Sequence, residues 1–75
     1  MKLEEGMAIK LIKKSTTNFR ENIGTVEKIY KNFILLKFKK YKECILIADI
    51  LNREDHRLKV KKGKAWVEVN IGMID

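Results

Sequence analysis

Alternating apolar and polar residues predict short β-strands along most of this chain. Residues 7–13 alternate so that Ile9 and Leu11 share one face, as in a strand with one buried side. The next stretch, residues 15–22, is polar and rich in turn-forming side chains, and it predicts a loop. Gly24 then opens a second strand, at a point where glycine suits a bend or a bulge. The first part of the chain is therefore predicted to be two strands joined by a polar loop.

The middle of the chain predicts a hairpin followed by a shorter strand. Residues 24–29 and 33–38 are the arms of the hairpin, and residues 30–32 form its turn, where Asn32 tolerates a left-handed backbone. A strand rich in β-branched side chains follows at residues 43–47. The residues expected to face the core from this region are Ile34, Leu36, Phe38, Ile45 and Ile47.

The last third of the chain predicts one helical turn and a second hairpin. Residues 48–52 fit a single turn of helix, and residues 53–56 read as a charged loop. The second hairpin turns at residues 61–64 and returns over residues 65–69. Trp66 lies in the returning strand and is expected in the core or at its margin.

Five or six short strands with glycine-marked turns predict an all-β fold. We expect a single SH3-like barrel of about five short antiparallel strands, with an OB-like barrel as the second choice. No composition break or repeat divides the chain, so residues 1–75 are predicted to be one domain. A domain this small is marginally stable, and a partner subunit, for example in a homodimer, or a ligand could contribute to its stability.

Composition limits the classes of protein to which the chain can belong. Lys and Arg total 17 against 10 Asp and Glu, which gives a net charge of +7. No apolar run approaches the roughly 18 residues of a transmembrane helix, and the N-terminus lacks the hydrophobic stretch of a signal peptide. A single cysteine cannot form an internal disulfide and fits a reducing compartment. We therefore expect a cytoplasmic protein without a membrane association.

Catalytic chemistry has little support in the sequence. Cys44 lies in an apolar strand and is expected to be a small, buried, unreactive side chain. His56, the single histidine, lies among charged residues and is expected in a solvated loop. Too few Cys, His and carboxylate residues cluster to predict a metal site, and no glycine-rich phosphate loop is present. We expect a protein that is not an enzyme, with no catalytic residue, metal or cofactor.

Lysines interleaved with aromatic residues are the most informative feature, because charges contact phosphates and rings stack on bases. With 14 lysines and three arginines, binding would be mostly to the nucleic-acid backbone and weakly sequence-specific. Strand alternation is expected to place Lys37 and Lys39 on the same face. Alternatively, the lysines only keep exposed strands soluble and guard sheet edges. The residues predicted to bind nucleic acid are Lys28, Tyr30, Lys31, Lys37, Lys39, Lys40, Tyr41 and Lys42.

The chain resembles the Veg family of small proteins from Gram-positive bacteria. The resemblance covers residues 24–38, 47–51 and 58–60, and residues 6–11 look like the first strand of that family. Its most specific element is the Ala-Asp-Ile-Leu segment at residues 48–51. The sequence departs from the family in its first loop, which lacks the basic Gly-Gly-Arg-Arg-Lys type of segment, and in its last 15 residues.

The resemblance implies a cytoplasmic SH3-like barrel with a regulatory role, which in that family is the control of biofilm genes by antagonising a DNA-binding repressor. Two functions are therefore expected. The first is a small basic module that contacts nucleic acid in a transcription-related setting. The second is a Veg-like regulator whose partner is a DNA-binding protein rather than nucleic acid. SH3-like barrels support both functions, so the fold does not decide between them.

Overall fold

The computed structural model describes residues 2–14, 18–52 and 56–74. These segments are dominated by antiparallel β-strands, and the prediction of an all-β fold is confirmed. In chain order, their elements are β1 (Ala8–Lys14), β2 (Phe19–Ile29), β3 (Phe33–Lys37), β4 (Lys42–Leu46), α1 (Ile47–Asn52), β5 (His56–Lys62), β6 (Ala65–Glu68) and α2 (Ile71–Ile74).

The six strands formed by the described residues belong to one sheet with the order β4-β3-β2-β1-β5-β6. Strands β1 to β4 are neighbours in chain order, β5 pairs with the other side of β1, and a helical turn lies between β4 and β5. The predicted return of the second hairpin over residues 65–69 is confirmed as β6. The sheet is not closed into the predicted barrel, because β4 and β6 lie at opposite edges and do not pair.

The long strand β2 bends the sheet into two halves. Its first part pairs with β1 and its second part with β3, with a register shift between Val26 and Lys28 that leaves Glu27 as a bulge. At Gly24, a Cβ atom would lie 2.3 Å from the carbonyl oxygen of Lys37. Glycine is therefore required at this bend because the backbone of β3 approaches so closely.

The prediction of a loop at residues 15–22 is wrong for residues 19–22. Residues 19–22 belong to β2 and pair residue by residue with β1, from Lys14 opposite Phe19 to Leu11 opposite Asn22. Pairing with the neighbouring strand β1 makes these residues part of a strand despite their polar composition, and residues 19–21 stay exposed. Residues 15–17 of the expected loop lie outside the described residues.

The two halves of the sheet enclose one apolar core. We call the side of the sheet that faces it the inner face and the opposite side the outer face. The prediction of inward Ile34, Leu36, Phe38 and Ile45 is confirmed, whereas Ile47 begins α1 and is only half-buried against the core. The buried apolar residues are Leu3, Ile9, Leu11, Val26, Ile34, Leu36, Phe38, Ile45, Ile50, Leu58, Val60, Val69 and Met73.

The ends of the described chain also contribute to the core. The helical turn predicted at residues 48–52 is confirmed as α1, and the second hairpin turns at Gly63, whose φ is 62°. The helix α2 was not predicted; it buries Met73, whose carbonyl oxygen accepts a 2.7 Å hydrogen bond from the backbone N–H of Leu3. His56, expected in a loop, is instead the first residue of β5, and residues 53–55 lie outside the described residues.

Candidate nucleic-acid interface

The outer face of the β2–β3–β4 meander carries most of the predicted site, and its hydrogen bonds show which side chains are neighbours. The backbone N–H of Phe38 donates to the backbone carbonyl oxygen of Tyr41 (2.8 Å). The backbone N–H of Ile47 donates to the backbone carbonyl oxygen of Asn32 (2.9 Å). Hydrogen-bonded and non-hydrogen-bonded pairs alternate in antiparallel strands, and the second kind brings Cα atoms within about 4.5 Å. The non-hydrogen-bonded pairs on this outer face are Phe33 with Leu46, Leu35 with Cys44, and Lys37 with Lys42.

Three lysines, Lys28, Lys37 and Lys42, form what we call the cationic end of this face. Lys37 lies directly opposite Lys42, and Lys28 lies opposite Leu35 in the next row. The Nζ atom of Lys42 is 2.7 Å from Oε2 of Glu27, the bulge residue of β2. Within the described segments, Lys28 and Lys37 form no ion pair. The cationic end therefore keeps a net positive charge, which attracts anions.

The other end of the same face is apolar, and we call it the apolar end: Tyr30, Phe33, Leu35, Cys44 and Leu46. The ring of Tyr30 stacks on the ring of Phe33, with centroids 4.5 Å apart and planes 21° apart. Phe33 supports one side of the Tyr30 ring, and Tyr30 as a residue is 42% exposed, so it presents an aromatic surface to solvent. Leu46, which lies opposite Phe33 on β4, is 54% exposed.

The remaining predicted residues do not join this face. Tyr41 pairs with Phe38 one position beyond Lys37 and Lys42, so its side chain lies on the inner side, where it stacks on Phe38 with centroids 5.0 Å apart. β3 ends at Lys37, so the prediction that alternation continues through Lys39 is wrong. The predicted lysines that lie in turns are Lys31, Lys39 and Lys40. The structure therefore brings together Lys28, Tyr30, Lys37 and Lys42 and separates them from Tyr41.

Cys44 is exposed, and the prediction that it is buried is wrong. The five residues of β4 alternate, and burial of Ile45 on the inner face places its neighbour Cys44 on the outer face. The apolar run from residue 44 to residue 48 concealed this alternation, because it crosses from β4 into α1.

We expect the Cys44 thiol of the folded protein to react with a maleimide about as fast as it does in denaturant, because nothing has to open before the reagent reaches it. Stopped-flow labelling in buffer and in concentrated guanidinium chloride measures both rates. A thiol that reacts only after unfolding would contradict the exposed position.

A second basic surface was missed by the reasoning from sequence. On the outer face of β1 and β5, Lys10 lies directly opposite Lys59, and the Nζ atom of Lys10 is 4.8 Å from the centroid of the Trp66 ring. Trp66 is half-buried on the outer face of β6, so the expectation of a position in the core or at its margin is wrong. Alternation within β1 and β5 could have suggested two outward lysines, but not their pairing, because the two strands are far apart in the sequence.

A third basic group lies on the inner side where β1 ends. Lys13 pairs with Arg20 on β2 and with His56 on β5, and its Nζ atom is 2.5 Å from Oε2 of Glu43 on β4. This ion pair links β1 to the edge strand β4 across the two halves of the sheet. Glu43 neutralises Lys13, so the group contributes less positive charge than its residue types suggest.

The candidate site is an exposed face. Residues 2–14, 18–52 and 56–74 enclose no pocket, and they assemble no group of three or more His, Cys, Asp or Glu residues suited to a metal ion. Neither of the two described helices has the length and hydrophobicity that crossing a membrane requires.

Comparison with known proteins adds no relative: no protein-family model, no curated protein and no solved structure matches this chain. The resemblance to the Veg family and the role it implies stay predictions. Function is therefore inferred from the geometry of the described residues.

Proposed function

We propose that this protein is a small, non-enzymatic cytoplasmic module that binds nucleic acid, in a regulatory setting related to transcription. The observation that carries the proposal is the placement of Lys28, Lys37 and Lys42 on one face with the exposed ring of Tyr30. Charges for phosphates and a ring for a base are the two components of a surface that binds single strands. The net charge of +7 adds long-range attraction to any polyanion.

The spacing of these side chains suits a nucleic-acid backbone. Lys28 and Lys37 occupy neighbouring rows of the outer face, and rows on one face are about 7 Å apart along a strand. Lysines in neighbouring rows can therefore contact neighbouring phosphates of one strand. Lysine is a point charge without the bidentate geometry of arginine, so the contacts favour no particular base. Tyr30 adds stacking, which every base can provide.

Replacing Lys28 and Lys37 together with alanine is expected to reduce the salt dependence of binding. Each phosphate contact contributes a slope of about −0.7 to −0.9 to log affinity against log salt, so losing two flattens the slope by about 1.5 units. Fluorescence anisotropy of a labelled random oligonucleotide at several salt concentrations measures this slope. The loss should be similar for different base sequences.

The double variant Lys62→Ala/Lys64→Ala is the matched control. It removes the same charge from the β5–β6 hairpin, at the far edge of the sheet from β4. If the outer face of the meander is the site, this control should change the slope much less than the first variant. Tyr30→Ala should cost about 1–3 kcal/mol on single strands and little on duplex. Equal effects of the two double variants, or no binding at low salt, would refute the proposal.

A second candidate function is supported by the apolar end. Tyr30 and Leu46 are 42% and 54% exposed on the face that carries the lysines, a combination that would also suit a protein partner with an acidic rim. This is the Veg-like alternative, in which the partner is a DNA-binding regulator. Copurification of such a regulator that survives nuclease treatment, and is lost in Leu46→Lys, would favour it over direct binding to nucleic acid.

A further inference from the structure

The edge strand β4 presents unused backbone hydrogen-bonding groups. Hydrogen-bonded and non-hydrogen-bonded pairs alternate along β3 and β4. Glu43 and Ile45 are the residues of β4 whose peptide groups form hydrogen bonds with β3. The N–H and C=O groups of Lys42, Cys44 and Leu46 point the other way, where no strand of the described segments lies. Such an edge is a template for pairing with another chain.

Charged side chains commonly protect an edge strand from such pairing, but here both charges of β4 are compensated within the protomer. Lys42 is paired with Glu27 at 2.7 Å, and Glu43 is paired with Lys13 at 2.5 Å. The chain contains no proline that could block the edge. β4 therefore offers a nearly neutral ladder for pairing.

We infer that β4 pairs antiparallel with β4 of a second copy of this chain, about a two-fold axis at Cys44. This register pairs all five residues of the strand, with Lys42 opposite Leu46 of the second copy. A shift towards Glu43 would place two glutamates opposite each other, which is unfavourable. A shift towards Ile45 would reach into α1, where the extended backbone has ended.

The same register makes the outer face continuous across the two copies. Within one protomer, Cys44 lies opposite Leu35. In the dimer, Cys44 also lies opposite Cys44 of the second copy. The central row of side chains across the dimer is then Leu35 and Cys44 of one copy followed by Cys44 and Leu35 of the other. The aliphatic stem of Lys42 covers Leu46 of the second copy, which is 54% exposed in the protomer. A ladder of five residues buries less than the roughly 1,200–2,000 Å² of a standard interface, so the dimer is weak and depends on concentration.

Substitutions at Leu46 test this register on nuclease-treated protein, independently of any nucleic-acid binding. Leu46→Lys places a like charge opposite Lys42 of the second copy, whereas Leu46→Glu places an opposite charge there. Sedimentation equilibrium over a wide concentration range should show a wild-type dimer, with the lysine variant dimerising about tenfold more weakly than the glutamate variant. Because the side chain is exposed, both variants should stay folded, which circular dichroism checks.

Crosslinking provides the second test. Cys44 is the single cysteine, so a short bismaleimide should link two copies efficiently. In the control Cys44→Ser/Lys61→Cys, the thiol moves to the outer face of β5, away from the edge, and crosslinking should be lost. A protein that stays monomeric and uncrosslinked at high concentration would overturn the inference. A dimer that Leu46→Lys and Leu46→Glu affect equally would overturn it too, as would capture of an extended peptide of another protein by β4 in place of self-association.

Discussion

Gly24→Ala is expected to leave much of the protein unfolded in the absence of denaturant. An added Cβ would lie 2.3 Å from the carbonyl oxygen of Lys37 and 2.8 Å from Cδ1 of Phe38. The first contact is with backbone, so relief requires β2 and β3 to separate where Thr25 pairs with Lys37. Forced overpacking of this kind should cost about 3 kcal/mol or more, a large part of the stability of so small a domain. Urea unfolding followed by circular dichroism measures the loss.

Gly72→Ala is the matched control for this effect. The nearest atom to a Cβ at Gly72 is Oδ1 of Asn70, at 3.2 Å, and a side chain in that position can rotate away. Its free energy of unfolding should therefore change by less than about 1 kcal/mol. Equal stability of the two alanine variants would contradict the close approach of the β3 backbone to Gly24.

Leu36→Ala is expected to reduce the free energy of unfolding by about 2–5 kcal/mol. Leu36 is fully buried between the two halves of the sheet, so truncation leaves a cavity as well as losing apolar burial. The adjacent Leu35 provides a control of identical chemistry, because it lies on the outer face, opposite Cys44. Leu35→Ala should cost much less. Equal losses from the two leucines would contradict the register of β3.

The core residues of β3 could be predicted because the pattern that identifies them lies within a single strand. Lys37 marks one face of residues 33–38 as exposed, and the two-residue period of a strand then assigns Ile34, Leu36 and Phe38 to the opposite face. The helical turn of α1 was also predicted, directly before the charged residues 53–56.

Features that depend on pairing between distant strands could not be predicted in the same way. Residues 19–22 are polar, and only their position beside β1 makes them part of a strand. Trp66 was expected in or beside the core because of its size, yet it lies on the outer face of β6, where Lys10 packs against its ring. α2 is four residues long and depends on burial of Met73, which local propensity does not reveal.

The candidate site was predicted as a set of residue types rather than as a surface. Composition identified the lysines and tyrosines, but their distribution between the two faces follows from the hydrogen-bond alternation of the hairpins. Tyr30 pairs with Phe33 and lies on the outer face, whereas Tyr41 pairs with Phe38 and lies on the inner side. Sequence spacing alone placed both tyrosines in one group.

The pairing of β1 with β5 has a consequence for how the chain folds. Ile9 lies opposite Val60, so the central strand acquires its second neighbour from a segment about 50 residues further along the chain. The entropy of closing so long a loop has to be overcome before this contact stabilises anything. Small all-β domains dominated by such distant contacts fold in milliseconds to seconds, much more slowly than helical bundles. During synthesis, β1 and the meander must therefore wait for β5 to leave the ribosome before the core can close.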